Sequence, residues 1–278
     1  MNENLGIFSE AFLRPDPADA ASALAAAGFG VTQLNWPSLG LDELPDPANP
    51  PDYEGIRTAY DGAGVRICAV SGTYNMIHAD PDVRRAGTQQ CLGVIAGAPR
   101  LGTDVVTLCT GTRTVESMWR AHPDNTSAQA WADLRATFDE LLPAAEAAGV
   151  RLGVEPEPSN VIRDTEQAVR LVNELGTDAR HIAVVLDPAN LLNPAALSEQ
   201  ESDLTRGFRE LGERACAVHA KDLTTDGRFG PPGTGILDYD LVHRLYDELP
   251  VIVPVVIQDT IESDVPRVRE FLRSHSIG

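Results

Sequence analysis

The 278 residues are close to what one α/β barrel takes, about 250, and 43% of them are apolar, enough for a sizeable core and too many for a disordered chain. Twenty-two Lys and Arg stand against 41 Asp and Glu, a formal charge of −19. That balance argues against a phosphate-backbone binder, which needs a basic track to release counterions; otherwise it reads as a solvated negative surface and says nothing about substrate.

In chain order, short β-rich runs alternate with longer stretches rich in Ala, Leu, Glu and Arg. "LGIFSEAF" from Leu5 precedes a helical pattern near Pro17–Ala27, "VTQLNW" from Val31 one at Tyr53–Ala63, and "VRICAVSG" from Val65 one at Pro81–Leu101. "DVVTLCTG" from Asp104 leads to Ser127–Ala148, "VRLGVEPE" from Val150 to Thr165–Leu175, and "HIAVVLDP" from His181 to Glu199–Glu213. The last two pairs are "ACAVHAKD" from Ala215 with Tyr239–Glu248, and "VIVPVVIQD" from Val251 with Val265–Ser274. Asp, Ser or Thr often stands where an N-cap is needed.

The strand runs are continuously apolar, which implies burial on both faces, as in a parallel sheet covered by helices. Eight βα units without a long interruption fit an α/β fold closed as a (β/α)8, or TIM, barrel, a single domain over residues 1–278. No G-x-G-x-x-G follows the first strand, so a dinucleotide site is not expected. "LPDPANPPDY" (Leu44–Tyr53) and "GRFGPPGTG" (Gly227–Gly235) read as loops after strands two and seven.

No apolar run approaches the ~18 residues of a membrane span, and "MNENLGIFSE" lacks the basic start and cleavage site of a signal peptide. Cys68, Cys91, Cys109 and Cys216 stand alone in apolar contexts, which suits buried free thiols. A cytoplasmic protein without a membrane partner is expected.

The carboxyl ends of barrel strands carry the active site. There the sequence places Glu155, Asp187, His219 and Gln258, each after an apolar run, at the ends of strands five to eight. Buried charges need a shared counter-charge, and a divalent metal supplies it. Three oxygen donors and one imidazole suit Mn2+ first, and also Co2+ or Mg2+, with Zn2+ compatible. Lys221 is the only lysine among the 22 basic residues. The strand period of two puts it on the side of His219, facing an anionic oxygen; the alternative is pairing with Glu157 or Asp222. Loop candidates for substrate contacts are Asn75 and His78 after strand three, Arg113, Trp119 and His122 after strand four, Glu157 and Asn160 after strand five, and Asn190 after strand six. For each, a loop-stabilising hydrogen bond is the competing role.

The chain resembles the sugar phosphate isomerase/epimerase superfamily with the xylose-isomerase-like barrel. The likeness rests on "GVEPEPSNVI" (Gly153–Ile162), "VLDPANLL" (Val185–Leu192), "VHAKDL" (Val218–Leu223), "GTGILDY" (Gly233–Tyr239) and the last strand with "DVPRVREFL". It implies a divalent-metal-dependent isomerase or epimerase of a sugar, keto-sugar or cyclitol, working through a metal-stabilised enediolate. Its four ligands fall on Glu155, Asp187, His219 and position 258, with Glu155 also the base and Lys221 an electrophile or acid. Gln258 departs from the glutamate of that pattern and leaves one of two family bases. A lyase or dehydratase needs only one, and a non-catalytic sugar-binding barrel needs none. The endonuclease branch requires further histidines, and Asn190 stands where one would lie. The expected partner is a small sugar, with self-association left open.

Overall fold

A computed structural model describes residues 4–193 and 195–277; residues 1–3, 194 and 278 of the expected domain lie outside it. Its strands are β1 (Leu5–Phe8), β2 (Val31–Leu34), β3 (Arg66–Ser71), β4 (Val105–Leu108), β5 (Arg151–Val154), β6 (Ile182–Leu186), β7 (Ala215–Ala220), β8 (Asp222–Leu223), β9 (Phe229–Gly230) and β10 (Val255–Ile257). Eight of them close a parallel barrel in the order β1-β10-β7-β6-β5-β4-β3-β2, while β8 and β9 form a separate antiparallel hairpin. The helices are α1 (Pro17–Ala26), α2 (Tyr53–Gly62), α3 (Pro81–Leu101), α4 (Ala128–Ala148), α5 (Thr165–Leu175), α6 (Gln200–Leu211), α7 (Tyr239–Asp247) and α8 (Val265–Ser274). The chain is thus a single (β/α)8 barrel.

Caps set the helix starts. Asp16, Asp52, Asp80, Ser127, Asp164 and Asp238 each accept a hydrogen bond from a first-turn N–H that has no helical partner. Two stretches differ from their sequence reading. The last strand starts at Val255 and not at Val251, because Pro254 brings no N–H to a ladder; its carbonyl instead receives Val218 N at 2.9 Å. The segment read as a loop after strand seven contains β9, whose Phe229 pairs with Leu223 of β8, too short a pattern to show periodicity.

Strand parity divides the core. In β6, Ile182, Val184 and Leu186 belong to the large apolar cluster shared with the helices, whereas Ala183 and Val185 belong to the smaller one inside the barrel. Full burial of each such aliphatic side chain contributes about 1.5–3 kcal/mol. The interior is narrow: a Cβ on Gly153 would lie 3.0 Å from Cys216 Sγ and 3.3 Å from Val105 Cγ1. Continuing the inward parity gives Asp187 from Ala183 and Val185, Glu155 from Gly153, His219 from Ala217, and Gln258 from Val256. The apolar filling ends and the polar floor of a cavity begins at one level on four neighbouring strands.

Candidate active site

Glu155, Asp187 and His219 are buried, and one donor atom from each lies within 4.8 Å of the others. His219 Nδ1 is 3.4 Å from Glu155 Oε1 and 3.8 Å from Asp187 Oδ2. The other ring nitrogen, Nε2, is 3.1 Å from Gln33 Oε1, and Gln33 Nε2 donates to Thr107 Oγ1 at 3.2 Å. With the Gln33 amide oriented by Thr107, Nε2 carries the hydrogen and the Nδ1 lone pair points at two carboxylates. Asp187 Oδ2, His219 Nδ1 and Gln258 Oε1 are all buried without a hydrogen-bond partner. The Glu155, Asp187 and His219 acceptors that face one another in this way repel unless a cation lies near them. Glu155, Asp187 and His219 therefore fit a divalent metal and could hold one between them.

The remaining atoms of the ligands are already held. Asp187 Oδ1 accepts from Ala189 N at 2.9 Å and Asn190 N at 3.3 Å, which leaves Oδ2 for the cavity side. Asn190 Nδ2 donates to Glu155 Oε1 at 2.9 Å and to Pro156 O at 3.0 Å, and Cys109 Sγ stands 3.9 Å from Glu155 Oε2. Asn190, expected among the substrate contacts, thus stands behind Glu155 and orients it. Phe8 closes the other side of His219 edge-on, with ring centroids 5.0 Å apart.

Lys221 is only 3% exposed, and its Nζ is 3.1 Å from Asp187 Oδ2, an ion pair without the alignment of a hydrogen bond. It lies in the cavity wall, on the side the strand period gives it, and pairs with Asp187 rather than with Glu157 or Asp222. Asp222 instead accepts Leu223 N and Leu237 N on one oxygen and Gly233 N on the other, fixing the following loop. The ammonium also sits 4.0 Å from the centroid of the Phe229 ring on the hairpin. Burial pulls the Lys221 pKa down, but Asp187, Glu155 and Glu157 outweigh it and hold the group charged. Burial pushes Asp187 up to about 6, with the Glu155 charge adding to it against Lys221. Burial opposes Glu155 as well, yet the adjacent His219 ring and the Lys221 ammonium outweigh it and hold Glu155 below the usual carboxylate range. Glu157, two residues on, is pushed up to about 7 by burial and by Glu155, against Lys221 and the Ser159 N–H.

The floor opens into a cavity of about 930 Å3 whose wall includes Glu155, Lys221, Gln258, Glu157 and Trp119. Inward ends of other strands, Gln33, Thr107 and Cys109 among them, complete it. Sequence reasoning passed over Gln33, although a glutamine inside the apolar run "VTQL" was the available signal. Asn75, His78, Arg113 and Asn160 are not in that wall. Asn75 Oδ1 accepts Thr112 N at 2.9 Å; His78 Nδ1 accepts Asp80 N at 3.1 Å. Arg113 donates to Ile77 O at 2.9 Å and to Asp133 Oδ2 at 2.5 Å. Asn160 accepts Gly111 N at 2.6 Å and donates to Met118 O at 3.0 Å. Asn75, Arg113 and Asn160 tie the loops after β3, β4 and β5 to one another and His78 holds the backbone of its own loop, because buried loop backbone needs partners. His122 is likewise occupied, capping the turn at Asp124.

The chain is a closed (β/α)8 barrel with a buried Glu–Asp–His cluster at the carboxyl ends of its strands that could hold a metal ion. The family model described as xylose isomerase-like TIM barrel matches residues 21–274, and the chain belongs to that family. No curated protein sequence matches it significantly. Among solved structures it is similar to a 3-keto-D-glucoside 4-epimerase from E. coli, with 16% identity over 98% of this chain and 99% of that one and a TM-score of 0.74. It is also similar to a probable 3-DHS dehydratase from Bacillus anthracis, with 13% identity, 98% of each chain covered and a TM-score of 0.73. A D-psicose 3-epimerase from Clostridium cellulolyticum H10 shares 15% identity over 97% of this chain and 91% of its own, with a TM-score of 0.68. At such identities the likeness is one of fold. Among the described residues, no helix is long and apolar enough to cross a membrane.

Proposed function

We propose that the protein is a divalent-metal-dependent isomerase or epimerase that removes a proton next to the carbonyl of a small neutral keto-sugar or cyclitol. The observation that carries this reading is the buried set of facing acceptors, Glu155, Asp187 and His219, beside a buried ammonium on the floor of a large cavity. Gln258 Oε1, buried and unpartnered, is the fourth donor. Mn2+ is the first choice of metal, with Co2+, Mg2+ and Zn2+ compatible with the same donors. When bound, the cation supplies Lewis acidity, making the proton beside a carbonyl easier to remove.

The chain's own residues do the rest. Glu155, held ionised and aimed by Asn190, takes the proton. Lys221, fixed by Asp187 and Phe229, presents a compact positive charge to the oxygen on which negative charge develops. Glu157, with its carboxyl near neutrality and in the cavity wall, is placed to meet a substrate hydroxyl. Similarity in fold to epimerases and to a dehydratase accords with either fate of the resulting enediolate. Elimination is a second reading, favoured by one observation: position 258 carries an amide that cannot return a proton.

Incubating metal-loaded protein with keto-sugars in D2O and following the carbon-bound protons by NMR tests the reading. Deuterium should enter beside the carbonyl, with epimer formation in the first case and loss of water or alcohol in the second. The idea fails if no substrate exchanges with metal at full occupancy, or if that metal survives the combined Glu155→Ala and Asp187→Ala change.

A further inference from the structure

Trp119 belongs to the cavity wall yet is 56% exposed. An exposed indole left over from packing is ordinarily mobile, but the backbone here is fixed on both sides of the residue. Asn160 Nδ2 donates to Met118 O at 3.0 Å, while the hydroxyls of Thr112 and Thr114 donate to Arg120 O at 2.9 and 2.8 Å. Trp119 N itself is held by Ser117 Oγ at 3.2 Å. Asn160 and Thr112 are 1% and 0% exposed, so buried side chains are committed to holding a segment whose own aromatic group faces solvent. Phe229 is the second exposed aromatic in the same wall, and it begins where the reacting end stops: its ring lies 4.0 Å from Lys221 Nζ, which lies 3.1 Å from Asp187.

We infer that Trp119, in the same cavity wall as Phe229, forms an outer subsite for the second ring of a keto-glycoside. The inference rests on the reading above and names its substrate class. A pyranose is polar at its edge and apolar on its C–H faces, so it pairs with an aromatic that is itself apolar in body and fixed in position. Exposed apolar surface rimmed by polar groups marks such grooves. Size points the same way. About 930 Å3 lies near the top of the range for small-molecule sites, roughly 300–1,000 Å3, where a single sugar ring leaves most of the space to water. The charge of the wall selects a neutral ligand. Glu10, Glu43 and Asp259 line it, and Arg228, the cation near the rim, is engaged by Asp226 at 2.8 Å. A phosphorylated sugar would meet repulsion there.

The test compares a keto-disaccharide with the matching keto-hexose, both by solvent-deuterium exchange and by tryptophan fluorescence. Trp36 and Trp131 are 0% and 8% exposed, so a ligand-dependent shift in emission reports on Trp119. The metal-loaded wild type should favour the disaccharide by about tenfold or more in kcat/KM, mainly through KM. Only the disaccharide should blue-shift the emission. Trp119→Ala should bring the ratio of the two substrates close to one, and Trp119→Phe should restore most of the preference. Equal kcat/KM for both substrates in the wild type would overturn the inference, as would a disaccharide preference that survives Trp119→Ala. So would an unchanged preference accompanied by loss of a dimer, which would make Trp119 a contact between copies. Failure of the parent reading looks different: neither substrate exchanges, while a disaccharide-specific fluorescence shift would still support the subsite.

Discussion

Lys221→Met removes a positive charge that has almost no contact with water. Its Nζ lies 3.1 Å from Asp187 Oδ2. At an effective dielectric constant near 20, a pair at that separation is worth about 5 kcal/mol of Coulomb energy. Desolvation of the ammonium offsets part of this, but deleting one partner also leaves Asp187 and its neighbour Glu155 less compensated, which typically costs about 3–5 kcal/mol. We therefore expect the metal-free variant to unfold with about 3 kcal/mol less stability. Excess Mn2+ should shrink that loss, since it neutralises the same carboxylates. Lys221→Arg keeps the charge but replaces a compact ammonium with a planar guanidinium in a space already closed by Phe229 and Asp187. It should lower kcat tenfold or more, equivalent to about 1.4 kcal/mol of transition-state stabilisation. Denaturant melts with EDTA and with Mn2+, followed by kcat and metal occupancy on the same preparations, measure both effects. Wild-type turnover in the two variants, together with unchanged metal-free stability, would show that the pairing with Asp187 does neither task.

Two more perturbations probe the floor. Gln258→Glu adds a third carboxylate to the proposed ligand set where a buried amide oxygen has no partner, so Mn2+ affinity measured by calorimetry should rise tenfold or more, epimer formation should increase, and the metal-free protein should lose stability; unchanged affinity and product ratio would place residue 258 away from the metal. For pH, Asp187 is raised from 3.8 to about 6 and Glu157 from 4.5 to about 7, chiefly by burial. Each then contributes stability that is complete below its unfolded value and lost as pH climbs through its folded one. Metal-free protein should melt at a higher temperature at pH 6 than at pH 8, whereas Mn2+-saturated protein should show the reverse, because binding needs the Asp187 carboxylate ionised. Parallel trends in the two preparations would contradict the assignment.

Much of this was legible before any coordinates, for reasons that lie in the strands. An inward position that carries Ala, Val or Gly along the barrel and then abruptly Glu155, Asp187 or His219 announces a change from packed interior to solvent-facing floor. Helix starts were legible because Asp and Ser caps act within three residues of themselves. What escaped the sequence depends on distant pairs. Gln33 meets His219 across 186 residues, and Asn190 reaches Glu155 across 35. No local pattern encodes which of two nearby polar atoms a loop amide will choose.

The loop residues show how that choice is made. A polar side chain near the barrel mouth faces two demands, the unpaired backbone of its own loops and the substrate, and the first is present throughout folding. Asn75, Asn160 and Arg113 are drawn into it because each reaches a backbone atom of another loop at 2.6–3.0 Å. Groups that keep a face toward the cavity are the carboxyl of Glu157, one oxygen of which accepts Ser159 N at 3.3 Å, an ammonium already surrounded by carboxylates, and the indole of Trp119. On the proposed reading, recognition falls to these few groups, and the loop residues act through them. Asn160 supports Trp119 through Met118 O, and Asn190 supports Glu155 directly. Replacing such a residue changes the geometry of a contact it never makes, which is why its signature in the sequence is indistinguishable from that of a residue touching the sugar.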